Sequence, residues 1–233
     1  MSMNYSRIIS AAAIVACCST ALAGPVIDLA PGEAFDGLSG IMNTELSELI
    51  GSIEADMVQE FTIFANSEGG DAPAVLYQGT LQTLVARSFE TGLLHFNYRL
   101  TSSNPEFAGL ISHVEVSGFE GIQTRVEYRD EITSPGDAGP SSASRSANGN
   151  VLDFDFGDSL DLGEESRWFF AMLDAETYSD PGLGVDEGGA TATIYLRTGE
   201  QVTLSTFGAG PIPTPGTLGL LSVAGFMGAR RRR

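Results

Sequence analysis

The chain contains no lysine, only two histidines, one tryptophan and two cysteines, Cys17 and Cys18, which stand together near the N-terminus. The residues after Cys18 have no thiol, so they form no disulfide and carry no cysteine chemistry. The sequence also lacks a Gly-x-Ser-x-Gly elbow, a Walker loop, a dinucleotide-binding fingerprint and a His-Glu-x-x-His motif. With so few catalytic groups, we predict that the protein is not an enzyme and has no catalytic residues.

Positive charge is scarce in the central part of the chain. All 30 acidic residues lie between Asp28 and Glu200, and only seven of the 12 arginines accompany them there. A surface of this composition repels phosphates and anionic lipid headgroups, which excludes nucleic acid as a partner. It attracts divalent cations.

The first 23 residues have the layout of a secretory signal peptide. Arg7 precedes an apolar stretch, and Ala21 and Ala23 place small residues at positions −3 and −1 of a cut between Ala23 and Gly24. The sequence therefore predicts a signal helix over 1–23 that is removed by signal peptidase. An alternative is a lipobox ending at Cys17, which would make Cys17 a lipidated N-terminus.

The C-terminus carries a second apolar segment. The run from Leu218 to Ala229 contains no acid and ends in Arg230, Arg231, Arg232 and Arg233, which we expect to stay in the cytoplasm. The run is shorter than the roughly 20 residues of an ordinary spanning helix. It still predicts a hydrophobic transmembrane helix that holds the chain before processing, with the preceding residues outside. The alternative is an amphipathic or disordered tail.

Residues 211–233 resemble the PEP-CTERM sorting signal, which combines a Pro-Glu-Pro-like motif, an apolar helix and a terminal arginine cluster. Here the motif is Pro213-Thr214-Pro215-Gly216, in which Thr214 stands where Glu is usual. The resemblance implies that an exosortase-like enzyme recognises and removes the tail during export. Three central stretches are also similar to the β-rich bodies of such exported proteins, most of which have no assigned biochemical function: Gly79–Leu100, Val114–Glu131 and Ser142–Tyr178.

Residues 24–210 are predicted to form one domain, an antiparallel two-sheet β-sandwich of jelly-roll-like type. In Leu94–Leu100 the apolar residues alternate with His95, Asn97 and Arg99, which is typical of a strand with one buried and one solvated face. Clusters of Gly, Pro, Asn and Asp separate such runs. The alternation recurs in Leu110–Phe119, Ile122–Ile132, Val151–Phe156, Thr191–Arg197 and Gln201–Phe207.

Other segments depart from this alternation. Arg167–Leu173 is apolar on both faces, which predicts a central strand with Trp168 as a core anchor. Residues 44–60 are predicted to form a short helix or turn followed by a strand. Ser134–Asn150 is interpreted as a long polar loop.

His95 and His113 are the candidate imidazoles. If their strands formed a hairpin around Asn104, the two rings would lie opposite each other. Two histidines lack the further ligands that zinc requires, so we expect both to face solvent.

The densest group of acids comprises Asp153, Asp155, Asp158 and Asp161, with two glutamates following. These are weak candidates for Ca²⁺ ligands, because calcium binds clustered oxygens. Their spacing does not match an EF-hand, and a solvated acidic face is the simpler interpretation. Asp180, Asp186 and Glu187 form a second such group.

The sequence thus favours a non-enzymatic exported protein of the cell envelope, cell surface or extracellular matrix, associated with exopolysaccharide in biofilms by family analogy. One alternative is a carbohydrate- or calcium-binding β-sandwich module. Another is a polysaccharide hydrolase that uses two of the acids, although no pair can be chosen from sequence.

Overall fold

A computed structural model describes residues 26–66, 72–103, 110–131, 135–157, 160, 163–181 and 189–210. The signal segment 1–23, the tail 211–233 and the candidates Asp158 and Asp161 lie outside the described residues. Within the described part, no helix has the length and apolar character needed to cross a membrane. A 3-10 turn spans Ser47–Leu49. The strands are β1 (Ile27–Asp28), β2 (Ala34–Asp36), β3 (Gly51–Phe64), β4 (Val75–Ser88), β5 (Leu94–Ser102), β6 (Ile111–Ser117), β7 (Thr124–Tyr128), β8 (Ser142–Arg145), β9 (Val151–Asp155), β10 (Phe169–Leu173), β11 (Tyr178–Ser179), β12 (Ala190–Leu196), β13 (Gln201–Thr206) and β14 (Gly208–Ala209).

Two six-stranded antiparallel sheets pack face to face. The first sheet has the order β1-β7-β10-β5-β4-β3, and the second has the order β13-β12-β6-β9-β8-β2. Strands β11 and β14 form a separate small ribbon. The predicted all-β sandwich is confirmed.

Aromatic side chains join the two sheets in the core. The ring of Phe169 lies 5.6 Å from that of Tyr98 in the first sheet and 4.9 Å from that of Phe154 in the second. All three side chains are fully buried. The alternating apolar residues therefore point inward from both sheets, as the period of two predicts.

The outer face of the first sheet is also partly covered. After Leu38 the chain follows the β7 edge, where the Ile41 amide donates to the Tyr128 carbonyl at 2.8 Å. Residues 42–50, which we call the covering segment, then lead to β3 at the opposite edge. Ile41 and Leu49 pack on Phe170 and Met172 of β10. Strand β10 is buried on both faces, as predicted.

The structure rules out the conditional hairpin, corrects one local prediction and confirms another. Strands β5 and β6 form no hairpin, since β5 pairs with β4 and β10 whereas β6 pairs with β9 and β12. The two histidines therefore lie in different sheets. The predicted loop Ser134–Asn150 contains β8, which pairs with β2 and β9. The short turn followed by a strand within 44–60 is confirmed.

Candidate functional site

A pocket of about 430 Å³ opens on the outer face of the first sheet. The covering segment forms one wall and the outward side chains of β4 and β5 form the floor. Its size lies within the range of roughly 300–1,000 Å³ that is typical of small-molecule sites. The lining residues are Asn43, Leu49, Ile50, Gly51, Ile53, Leu84, Ala86, His95, Asn97, Arg129, Glu131, Pro135 and Trp168.

His95 lies in the floor with 1% of its surface exposed, so the prediction that it faces solvent is wrong. The Asn97 amide is oriented by Arg129, whose Nε and Nη2 donate to Asn97 Oδ1 at 3.3 and 3.2 Å. Asn97 Nδ2 consequently faces His95 Nδ1 at 3.1 Å and donates to it. The imidazole proton is thereby assigned to Nε2, which has no hydrogen-bond partner in the described structure.

Burial lowers the pKa of His95 from 6.5 to about 4, and the positive charge of Arg129 adds to this effect. His95 is therefore neutral at pH 7. The ring therefore brings no charge to the pocket lining.

The Arg129 guanidinium is held by groups around the pocket. Its Nη1 donates to Asn43 Oδ1 at 2.8 Å, and Nη2 contacts the Leu49 carbonyl at 3.4 Å. Glu131 Oε1 accepts from the backbone N–H of Asn43 at 2.7 Å. Burial lowers the pKa of Arg129, and the nearby charge of Glu131 opposes that shift. Arg129 and Glu131 thus bring opposite charges to the same pocket.

The rim of the pocket is apolar. Ile50 and Ile53 expose 48% and 64% of their surfaces, although they are large hydrophobic residues. Trp168, the single tryptophan, also lines the pocket and is half-buried. The prediction of Trp168 as a core anchor is therefore wrong, because the neighbouring Phe169 takes the inward position. A largely apolar lining with a few polar groups is the usual composition of a ligand pocket.

Two of the weak metal candidates, Asp153 and Asp155, lie elsewhere, on the outer face of the second sheet. Asp155 stands opposite His113 and Asp153 opposite Glu115 across the β6–β9 pair. Tyr195 stacks on His113 at 4.2 Å between ring centroids and donates to Glu115 at 2.8 Å. Among the residues that the structure describes, no group of three or more His, Cys, Asp or Glu side chains is arranged to hold a metal ion.

Asp153 has an unusual environment within this face. Burial raises its pKa to about 6, with His113 lowering it and the charges of Glu115 and Asp155 raising it further. Its Oδ1 is buried without a hydrogen-bond partner in the described part of the chain. Ionisation of the Asp153 carboxyl group therefore lowers the free energy of unfolding at neutral pH.

We expect Asp153→Asn to stabilise the protein by about 1 kcal/mol at pH 8, a value reduced for partial solvent screening. A raised folded-state pKa means that the ionised form is disfavoured above the unfolded pKa. The gain should vanish below pH 4, where the aspartate is protonated in both states. Urea unfolding at pH 8 and at a pH below 4 measures this gain, and Asp36→Asn at an exposed position is the control. An equal gain at both values would contradict this account.

Sequence reasoning did not identify the pocket, and comparison with other proteins adds no further assignment. No protein-family model, curated protein or solved structure matches this chain. Its function therefore has to be argued from its own residues and from the geometry of its pocket.

Proposed function

We propose that this chain is an exported, non-enzymatic protein of the cell surface or extracellular matrix, sorted by an exosortase-like enzyme. The observation that carries the proposal is the combination of two terminal signals. A signal peptide ends at Ala23, and the motif Pro213-Thr214-Pro215-Gly216 precedes an apolar run and Arg230–Arg233. Both signals direct the intervening residues across the same membrane.

The fold is compatible with removal of both ends. The described strands begin at Ile27 and finish at Ala209, so they lie between the two proposed processing sites. The core contains no disulfide, and burial in the sandwich supplies the stability. The acidic composition keeps the exported domain soluble and away from anionic lipid headgroups.

Deleting Pro213–Arg233 is expected to move the protein from the surface or matrix fraction to the periplasm. An epitope inserted between Thr198 and Gly199, at the exposed β12–β13 turn, would survive trimming at either end. Mass spectrometry of the tagged protein from a host with an exosortase-like enzyme should give an N-terminus at Gly24 and no Arg230–Arg233.

A variant with Arg230–Arg233 replaced by serine serves as a finer test, because it keeps the apolar run. We expect it to be exported and then left with an untrimmed tail. Recovery of the full-length tagged protein from the cytosol, with neither end removed, would refute the proposed route. Release of sugars from a panel of polysaccharides by the purified protein would refute the non-enzymatic assignment.

A further inference from the structure

The pocket on the first sheet contains a polar group that the fold leaves unused. His95 is 1% exposed, and its Nε2 has no partner among the described residues. Its Nδ1 is already engaged by Asn97, so Nε2 carries the proton, and His95 belongs to the lining of the pocket. An unpaired buried donor destabilises the folded protein. A ligand oxygen that accepts from Nε2 would remove this destabilisation.

The pocket offers both polar and apolar contacts to such a ligand. The lining includes His95, Asn43 and Glu131, which carry polar groups, and also Ile53 and Trp168, which supply apolar surface. A pyranose ring has the matching chemistry, because its C–H groups form an apolar face and its hydroxyls donate and accept at the rim.

Charge selects a neutral sugar over an acidic one. The charges of Arg129 and Glu131 oppose each other at the pocket, and the histidine contributes none. The surrounding domain has 30 acids against seven arginines, which repels carboxylated and sulfated glycans. We propose that this pocket binds a neutral hexopyranose unit of a glycan, with His95 Nε2 donating to a sugar oxygen and Ile53 and Trp168 contacting the ring.

This inference concerns binding and goes beyond the proposed export route. The pocket is tested on purified protein, so its failure would leave the processing experiment unaffected. A failure of the predicted processing at either end would likewise leave the binding result unchanged. The two proposals therefore stand or fall separately.

Trp168 supplies the readout, because it is the only tryptophan and lines the pocket. The full chain, purified in a detergent without a sugar headgroup, is titrated with the methyl pyranosides of glucose, mannose and galactose and with methyl glucuronide. We expect a saturable change in fluorescence with at least one neutral sugar, and much weaker binding of the glucuronide. The absence of a saturable change with every neutral sugar, or a preference for the glucuronide, would overturn the proposal.

Two variants and a matched control locate the binding. His95→Phe removes the donor and Ile53→Asn removes part of the apolar wall, and each should weaken binding at least about fivefold. Val58→Asn is the control, because Val58 is exposed on the same strand but does not line the pocket. Circular dichroism checks that each variant is folded. Unchanged affinity in both His95→Phe and Ile53→Asn would overturn the assignment to this pocket.

Discussion

Replacing Arg145 by methionine is expected to lower the free energy of unfolding by about 4 kcal/mol. The side chain is 5% exposed and donates to the carbonyl oxygens of Gly149, Leu29, Phe119 and Ile122 at 2.9, 2.9, 2.8 and 2.6 Å. These carbonyls belong to three separate connections that meet at one end of the sandwich. Methionine fills the volume but leaves the acceptors without their charged donor. Urea unfolding, followed by circular dichroism, measures the loss.

Two further substitutions separate the geometry of Arg145 from its charge. Lysine keeps the charge but cannot reach four carbonyls at once, so Arg145→Lys should cost about 2 kcal/mol. Arg87→Met removes a partly exposed arginine that pairs with Glu54 at 3.2 Å and should cost about 1 kcal/mol or less. A loss below about 1 kcal/mol for Arg145→Met would show that water replaces the guanidinium at these carbonyls.

The inward face of each strand could be predicted from sequence because it depends only on local alternation. In β9, Leu152 and Phe154 are fully buried whereas Asp155 is exposed. In β12, Ala192 and Ile194 are buried in the same way. A period of two assigns faces without reference to any distant segment, which is why these predictions are confirmed.

The outer face of the first sheet could not be predicted in this way. His95, Asn97 and Glu127 alternate correctly with apolar neighbours, yet each is 1–2% exposed. Glu127 accepts from the Gly40 amide at 3.1 Å, and burial raises its pKa. These three side chains are covered by a chain segment that lies about 50–90 positions away in sequence. Periodicity carries no information about such a remote contact, so polar residues were assigned to solvent.

The pocket escaped prediction for the same reason, and the strand pairing around His95 could not be read from sequence either. Adjacent strands often form a hairpin, and only such a hairpin would place His95 opposite His113. The chain instead passes from the first sheet to the second between β5 and β6. His95 is thereby separated from His113 and joined to Asn97 and Arg129. The polar residues that line the pocket come from distant strands and share no sequence motif.

Acidification is expected to destabilise the folded protein through His95. Its pKa is about 4 in the folded state, below the ordinary value of 6.5 that applies to the unfolded chain. Between these values the unfolded chain takes up a proton that the folded protein does not. His95 therefore makes its full contribution to the free energy of unfolding above pH 6.5. As the pH falls toward 4, that free energy decreases by about 3 kcal/mol. Urea unfolding across this range measures the effect.

The many carboxylates titrate in the same range, so the test compares the native protein with His95→Gln, which keeps an amide donor but cannot ionise. Asp153, Glu127 and the charged neighbours Arg129 and Glu131 remain in both proteins, and their contributions largely cancel in the difference. We expect the difference in unfolding free energy to be flat above pH 7.5 and to fall by about 3 kcal/mol by pH 4. Imidazole proton NMR gives an independent check, because only two histidines are present and His113→Gln assigns the spectrum. A flat difference curve, or a His95 signal that titrates near 6.5, would show that the imidazole is solvated and not buried.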